Sequence, residues 1–381
     1  MMAFLLLAFF LPPINQPEEQ DSLARRIEIT GYLKGLSTTD FAPKFRNPES
    51  FFLIHNRLKL RYRPTPSLSL NLDMRNRLYL GEGVLRHPAR FSDFSYPGEY
   101  MSIRSNWMHA PRAVGYSNID RLWGEYRSSQ WHVRLGRQRI NWGICTVWNP
   151  NDLFNTFNFL DVDYEERPAS DGILVGRTFG ATSSLEGAAA ITRSREWISA
   201  ARYYHNVRET DLYLLAGWYL NQPTAGVGWS GYWKEFGWKG EVQYFIPFDE
   251  MKGIFNLDFE LDRIFPNNWY GAAGLLFNQS GVIRNMGLLD MRTLSISPRL
   301  LMPSRWNTLV LINKEFTPLV SGVVNLIWSP GTDLIFFLPG LKVNLTRETD
   351  LDIIGQSFLI GDGTRVREMG HRLMVRIKWN F

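Results

Sequence analysis

The chain has 381 residues, 14% of them aromatic, with 31 Gly, one Cys and a formal net charge of +5 from 42 basic and 37 acidic side chains. One cysteine, Cys145, excludes a disulfide framework and a zinc site built on paired cysteines, and the charge excess is too small for a nucleic-acid binder. A slightly negative mean hydropathy excludes a bundle of apolar helices and a 45% hydrophobic content excludes disorder, which leaves a β protein that meets both lipid and water.

Residues 1–20 open with the apolar run MMAFLLLAFFL, closed by Pro12 and Pro13. The run is too short to span a bilayer as a helix and reads as the core of an export signal or its remnant. No basic residue precedes it and no clear small-x-small cleavage site follows; a buried N-terminal helix is the alternative. Residues 21–381 then form a single domain.

From there the signal is alternation with period two. Glu28, Thr30, Tyr32 and Lys34 alternate with Ile27, Ile29, Gly31 and Leu33. Between Phe51 and Arg63 one parity is His55, Arg57, Lys59, Arg61 and Arg63, and the other is Phe52, Ile54, Asn56, Leu58, Leu60 and Tyr62. In a strand these parities are opposite faces, one cationic and one apolar; a helix would smear the charges around its circumference. After the turn at Pro64-Thr65-Pro66, Ser67 to Leu78 repeats the pattern and adds Arg75 and Arg77. Further along, Lys239, Glu241 and Gln243 oppose Val242, Tyr244 and Ile246. Asn256, Asp258, Glu260 and Asp262 oppose Phe255, Leu257, Phe259 and Leu261. Thr293, Ser295, Ser297 and Arg299 oppose Leu294, Ile296, Pro298 and Leu300.

Short connections are expected at 64–67, 128–130, 181–184, 206–210, 234–237, 266–268, 303–305 and 329–332. Longer ones are expected at 39–50, 81–116, 144–171, 247–252, 279–291 and 346–369. Short and long broadly alternate, which places turns on one rim and loops on the other. The expected fold is all-β: a closed antiparallel up-and-down barrel of about 18 strands, with 16 as the alternative.

The last eleven residues, HRLMVRIKWNF, put Leu373, Val375, Ile377, Trp379 and Phe381 on one face and Arg372, Met374, Arg376, Lys378 and Asn380 on the other. This ending resembles the C-terminal signal of Gram-negative outer-membrane β-barrels, an alternating apolar strand that closes on an aromatic. The resemblance implies an integral outer-membrane location, contact with lipid and lipopolysaccharide, and insertion by the barrel-assembly machinery, with Trp379 and Phe381 as the recognised residues.

In hydrocarbon a sheet must close on itself, so the apolar parities face lipid and the polar ones a lumen. Arg57, Lys59, Arg61, Arg63, Arg75, Arg77, Arg372, Arg376 and Lys378 then form one basic wall, because the last strand of a barrel pairs with the first. Asp258, Glu260 and Asp262 sit across from it. The charges either select acidic solutes or pair with one another and keep the lumen wet.

The connection after residue 136 reads GRQRINWGICTVWNPNDLFNTFNFLDVDYEERPASDG. A loop this long and aromatic is expected to be ordered and to enter the barrel at 144–171, placing Trp148, Asn149, Asp152, Asp161, Asp163, Glu165, Glu166 and Arg167 at a constriction. An extracellular cap is the alternative. The GRQ-x-x-x-WG stretch followed by WNPND is similar to a strand-and-loop region of porin-like families, the alginate exporters and substrate-specific porins. No metal or organic cofactor is expected. No catalytic residues are expected either: none of the six histidines sits in a motif with a nucleophile, and no G-x-S-x-G or H-E-x-x-H is present. The pair His87 and His109 with Asp93 and Glu99 is the one weak protease-like combination. The leading expectation is a channel for small, anionic solutes. An export channel for an acidic polysaccharide and a plugged structural barrel are the alternatives, with a homo-oligomer or periplasmic partners left open.

Overall fold

A computed structural model describes residues 26–92, 98–156, 168–283, 296–361 and 365–381. The chain begins with β1 (Ile27–Ala42), β2 (Arg46–Thr65) and β3 (Leu68–Leu80). Then follow β4 (Arg104–Ala110), β5 (Ala113–Arg127), β6 (Trp131–Gln138) and β7 (Ser170–Phe179). The middle consists of β8 (Ser183–Ile191), β9 (Trp197–Val207), β10 (Thr210–Leu220), β11 (Gln222–Trp233), β12 (Phe236–Phe245) and β13 (Ile254–Phe265). The last six are β14 (Trp269–Asn278), β15 (Trp306–Thr317), β16 (Val320–Ser329), β17 (Leu334–Asn344), β18 (Thr349–Gly361) and β19 (Val366–Asn380).

Each strand pairs antiparallel with its neighbours, and β1 pairs with both β2 and β19, so the sheet has no free edge. β4 pairs only with β5, where it fills the position beside residues 113–118 that β6 leaves empty, so eighteen strands close the ring. Closure answers the sequence pattern: where a strand has one apolar and one charged parity, the apolar one turns outward and the charged one inward, while some inner positions, such as Leu276 and Leu309, are apolar and pack on segments inside the barrel. On β2, for instance, Ile54, Leu60 and Tyr62 are outward while His55 and Arg57 are about 1% accessible.

One rim carries short turns, at 66–67, 128–130, 180–182, 208–209, 234–235, 266–268, 318–319 and 345–348. Tyr62, Tyr126, Trp131, Phe179, Trp233, Phe265, Trp269, Phe316 and Trp379 point outward beside these turns, an aromatic belt of the kind that sits at a membrane interface. The other rim carries the longer connections, including two single-turn helices, α1 (Glu82–Arg86) and α2 (Pro88–Ser92).

Some expected connections differ. The expected loop at 39–50 is the end of β1 and the start of β2, joined by a tight turn at 43–45. Residues 329–332 turn at the loop rim, and 303–305 end the long β14–β15 connection rather than making a short-rim turn. The expected loop at 346–369 is mostly β18 and the start of β19. Of the expected strand at 293–300, residues 293–295 lie outside the described residues. Residues 296–300 belong to the β14–β15 loop, where a tight turn is closed by reciprocal backbone bonds between Ser297 and Leu300. Pro298, which cannot donate to a ladder, sits inside that turn.

Candidate functional site

The inner wall of β2 and β3 brings like charges face to face: Arg57 pairs in register with Arg75, and His55 with Arg77. Opposed cations on one face of a sheet repel, and carboxylates from β3 and β5 relieve them. Arg57 lies 2.9 Å from Asp73 and 3.2 Å from Asp120, and Arg75 lies 2.7 Å from the other oxygen of Asp120. Arg77 donates to the Tyr116 hydroxyl at 3.2 Å. These arginines are 1–2% accessible, so they are an enclosed network rather than open side chains.

The remaining basic residues lie above and below that network. Toward the loop rim, Arg372 meets Asp40 at 2.5 Å, and Arg376 meets Asp352 at 2.9 Å. Lys378 sits 4.8 Å from the centre of the Tyr32 ring. Toward the short-turn rim, Arg61 and Arg63 share Glu28 and remain nearly half exposed. There Lys59, Arg61 and Arg121 line, with Glu28, Asn71, Asp73 and Trp123, a polar recess of about 160 Å³.

The opposite half of the barrel is organised by the β6–β7 connection. It follows β6, near whose end Gly136 has a φ of +116° and a close approach to the Leu122 carbonyl that admit no side chain. Trp142 packs edge-on against Phe154 among residues of β7 to β10 and donates to Glu186 at 3.0 Å. The chain then runs along the inner wall, held by carboxylates. Glu241 on β12 accepts the backbone N–H groups of Ile144, Cys145 and Asn151. Glu260 on β13 accepts those of Thr146 and Val147. Trp148, about 1% accessible, inserts among Leu276, Leu301, Met302 and Leu309. The WNPND sequence reverses the chain: Asp152 N–H donates to Asn149 C=O at 3.2 Å, with Pro150 in a turn position that suits its fixed φ. Glu241, Asp258 and Glu260 all have inward side chains, so residues 144–151 lie within the barrel.

A second segment enters beside β6. Arg137 forms a two-pronged pair with Asp171, at 2.7 and 2.8 Å, and donates to the carbonyls of Ile119 and Met101. Met101 N–H returns a bond to Asp171 at 3.0 Å. Residues 98–101, part of the β3–β4 connection, are thereby fixed next to the network on β3 and β5. Glu99 is drawn in with them, 3.9 Å from Arg137; burial pushes its carboxyl up to about 7, opposed by Arg137 and aided by Asp120.

The geometry thus sets a basic face, β1 to β3 with β18 and β19, against a face covered by the 139–156 segment. Asp258 and Glu260 lie beneath that segment, while Asp262 is nearer the short-turn rim, 4.0 Å from Lys239. Trp148, Asn149 and Asp152 are in the segment and buried. Asp161, Asp163, Glu165, Glu166 and Arg167 lie outside the described residues, as does Asp93. Partners of the arginines that the sequence reading did not single out are Asp73 and Asp120, and it also missed Arg137 and the latch Glu241.

No family model matches the chain, and no curated protein matches it. Solved structures do. OccK11 (OpdR) of Pseudomonas aeruginosa aligns over 93% of this chain and 96% of its own, with a TM-score of 0.58 and 9% identity. A BenF-like porin of Pseudomonas fluorescens aligns over 94% and 100%, with a TM-score of 0.58 and 10% identity. OccAB1 of Acinetobacter baumannii aligns over 93% and 96%, with a TM-score of 0.54 and 10% identity. The fold is that of the outer-membrane porin barrels.

Proposed function

We propose that the protein is an integral outer-membrane channel through which small solutes, preferentially anions, diffuse passively. The observation that carries this reading is the asymmetric interior: a wall of arginines and lysines across from an inward-folded segment, inside a barrel whose outer surface is apolar and belted with aromatics. An interior narrowed by two chain segments suits small solutes rather than a polymer. Arginine suits carboxylates, since its planar fork matches them in a bidentate geometry. Arg57 and Arg75 are matched by Asp73 and Asp120, so the preference is read best at the exposed cations of the short-turn mouth, Arg61 and Arg63, which share the single carboxylate of Glu28.

Single-channel recording in planar bilayers tests both parts. The wild-type barrel should conduct, with a reversal potential favouring anions under a salt gradient. Arg61→Glu with Arg63→Glu should move that potential toward cations. A folded barrel that passes no current overturns the channel reading; an unchanged reversal potential overturns only the preference.

A further inference from the structure

Beneath the inward segment, three inward carboxylates stand together on neighbouring strands. Glu241 pairs in register with Asp258, and Glu260 is the next inward residue on β13. All three are at most 1% accessible. Lys239 is the one cation that forms an ion pair with any of them among the described residues, 3.3 Å from Glu260. Glu241 and Glu260 are further satisfied by backbone N–H groups of the segment. Asp258 is not: among the described residues no N–H or O–H group donates to either of its carboxylate oxygens, although the side chain is fully buried, and the one donor that faces it is the weak thiol of Cys145. A buried carboxylate with so weak a donor is costly unless it is neutralised by a proton or coordinates a metal.

What faces Asp258 decides between these. The Cys145 sulfur, carried in by the segment, and the carboxylates of Asp258 and Glu260 present three ligand atoms that all lie within 4.8 Å of one another. Two more buried oxygens without partners, Asn151 Oδ1 and Gln243 Oε1, converge beside Glu241: Asn151 N–H donates to it, Gln243 is the next inward residue on β12, and a Cβ on Gly226 would run into both oxygens. Acceptors left over after the local donors are used make the environment of a cation. We propose that Cys145, Asp258 and Glu260 bind a divalent cation of the zinc class, tying the inward segment to β13. One thiolate with two carboxylates suits a borderline-soft ion better than calcium or magnesium, which take oxygen ligands. Zn–S and Zn–O bonds are about 2.3 Å and 2.0–2.2 Å, so binding draws the three atoms together. On binding, the Cys145 sulfur bonds the metal as its proton leaves to solvent.

The test uses the full-length barrel in detergent, stripped with a chelator, its fold verified by the shift in gel mobility on heating. Zinc titration should give one ion per chain, and Asp258→Asn, close in shape to the original, should weaken binding by roughly tenfold or more. Cadmium should produce a thiolate charge-transfer band that Cys145→Ser removes. A folded wild-type barrel that retains no zinc overturns the proposal, as does zinc binding that neither substitution alters. Binding of calcium alone, unaffected by Cys145→Ser, overturns it too.

Discussion

At the scale of single residues, the interior places charges where their partners are fixed before any solute arrives. Breaking a buried ion pair by removing one member typically costs about 3–5 kcal/mol, because the other charge is stranded. Arg57, Arg75 and Arg137 are each held against aspartates in this way. Glu99 is the exception, since burial outweighs the pull of Arg137 and leaves its carboxyl at about 7. An acid whose folded pKa is raised favours the protonated fold. The docking of residues 98–101 is therefore firmest below the free carboxyl's range, weakens as pH climbs from there to about 7, and changes little beyond. Hydrogen exchange at the Met101 amide should be faster at pH 8 than at pH 5 after correction for intrinsic rates. Glu99→Gln should remove the difference; if the variant keeps it, another group is responsible.

At the scale of elements, legibility followed regularity. The alternation is unbroken on β3 and β13, from Phe52 to Tyr62 on β2 and from His371 to Asn380 on β19, so parity alone separates inward from outward residues there. β5 hides its key residue. A register shift opposite Asp73 and Met74 switches its inward parity from Tyr116, Asn118 and Asp120 to Arg121, Trp123 and Glu125. Asp120 lies at the switch, and a bulge of this kind reads as broken alternation from sequence alone. Glu241 could be placed on the inner wall but not assigned its work, because its partners are backbone amides of a segment about 90 residues away. Those amides give a measurable consequence. Glu241→Ala leaves the N–H groups of Ile144, Cys145 and Asn151 without their acceptor, at about 1–3 kcal/mol for each that stays buried. The segment should detach more often, raising mean single-channel conductance and the frequency of large current excursions. Conductance indistinguishable from wild type would mean that Glu241 does not set the aperture.

At the scale of the whole molecule, the final step is the seam. β1 and β19 align from Tyr32 opposite Asn380 to Phe41 opposite His371, joining the two ends of the described chain. Such a pairing meets the largest loop-closure entropy in the fold and is rewarded only once the rest of the sheet is in place. At its short-turn end Gly31 and Phe381 exchange backbone bonds, Gly31 N–H to Phe381 C=O at 2.8 Å and Phe381 N–H to Gly31 C=O at 3.0 Å. The Phe381 ring lies over the Gly31 Cα, and a Cβ there would meet both that ring and the Arg57 carbonyl. The terminal aromatic is thus part of the closing joint, whatever else recognises it. The seam also brings Arg372, Arg376 and Lys378 beside β1 and β2, so closure completes the basic wall as well as removing the sheet edges. Gly31→Val should lower the yield of heat-modifiable barrel on refolding into detergent. By contrast, Gly180→Ala, with no atom within 4 Å of the added carbon, should leave yield nearly intact despite its turn conformation. Equal yields from the two variants would show that the seam tolerates crowding and that closure is governed elsewhere in the ring.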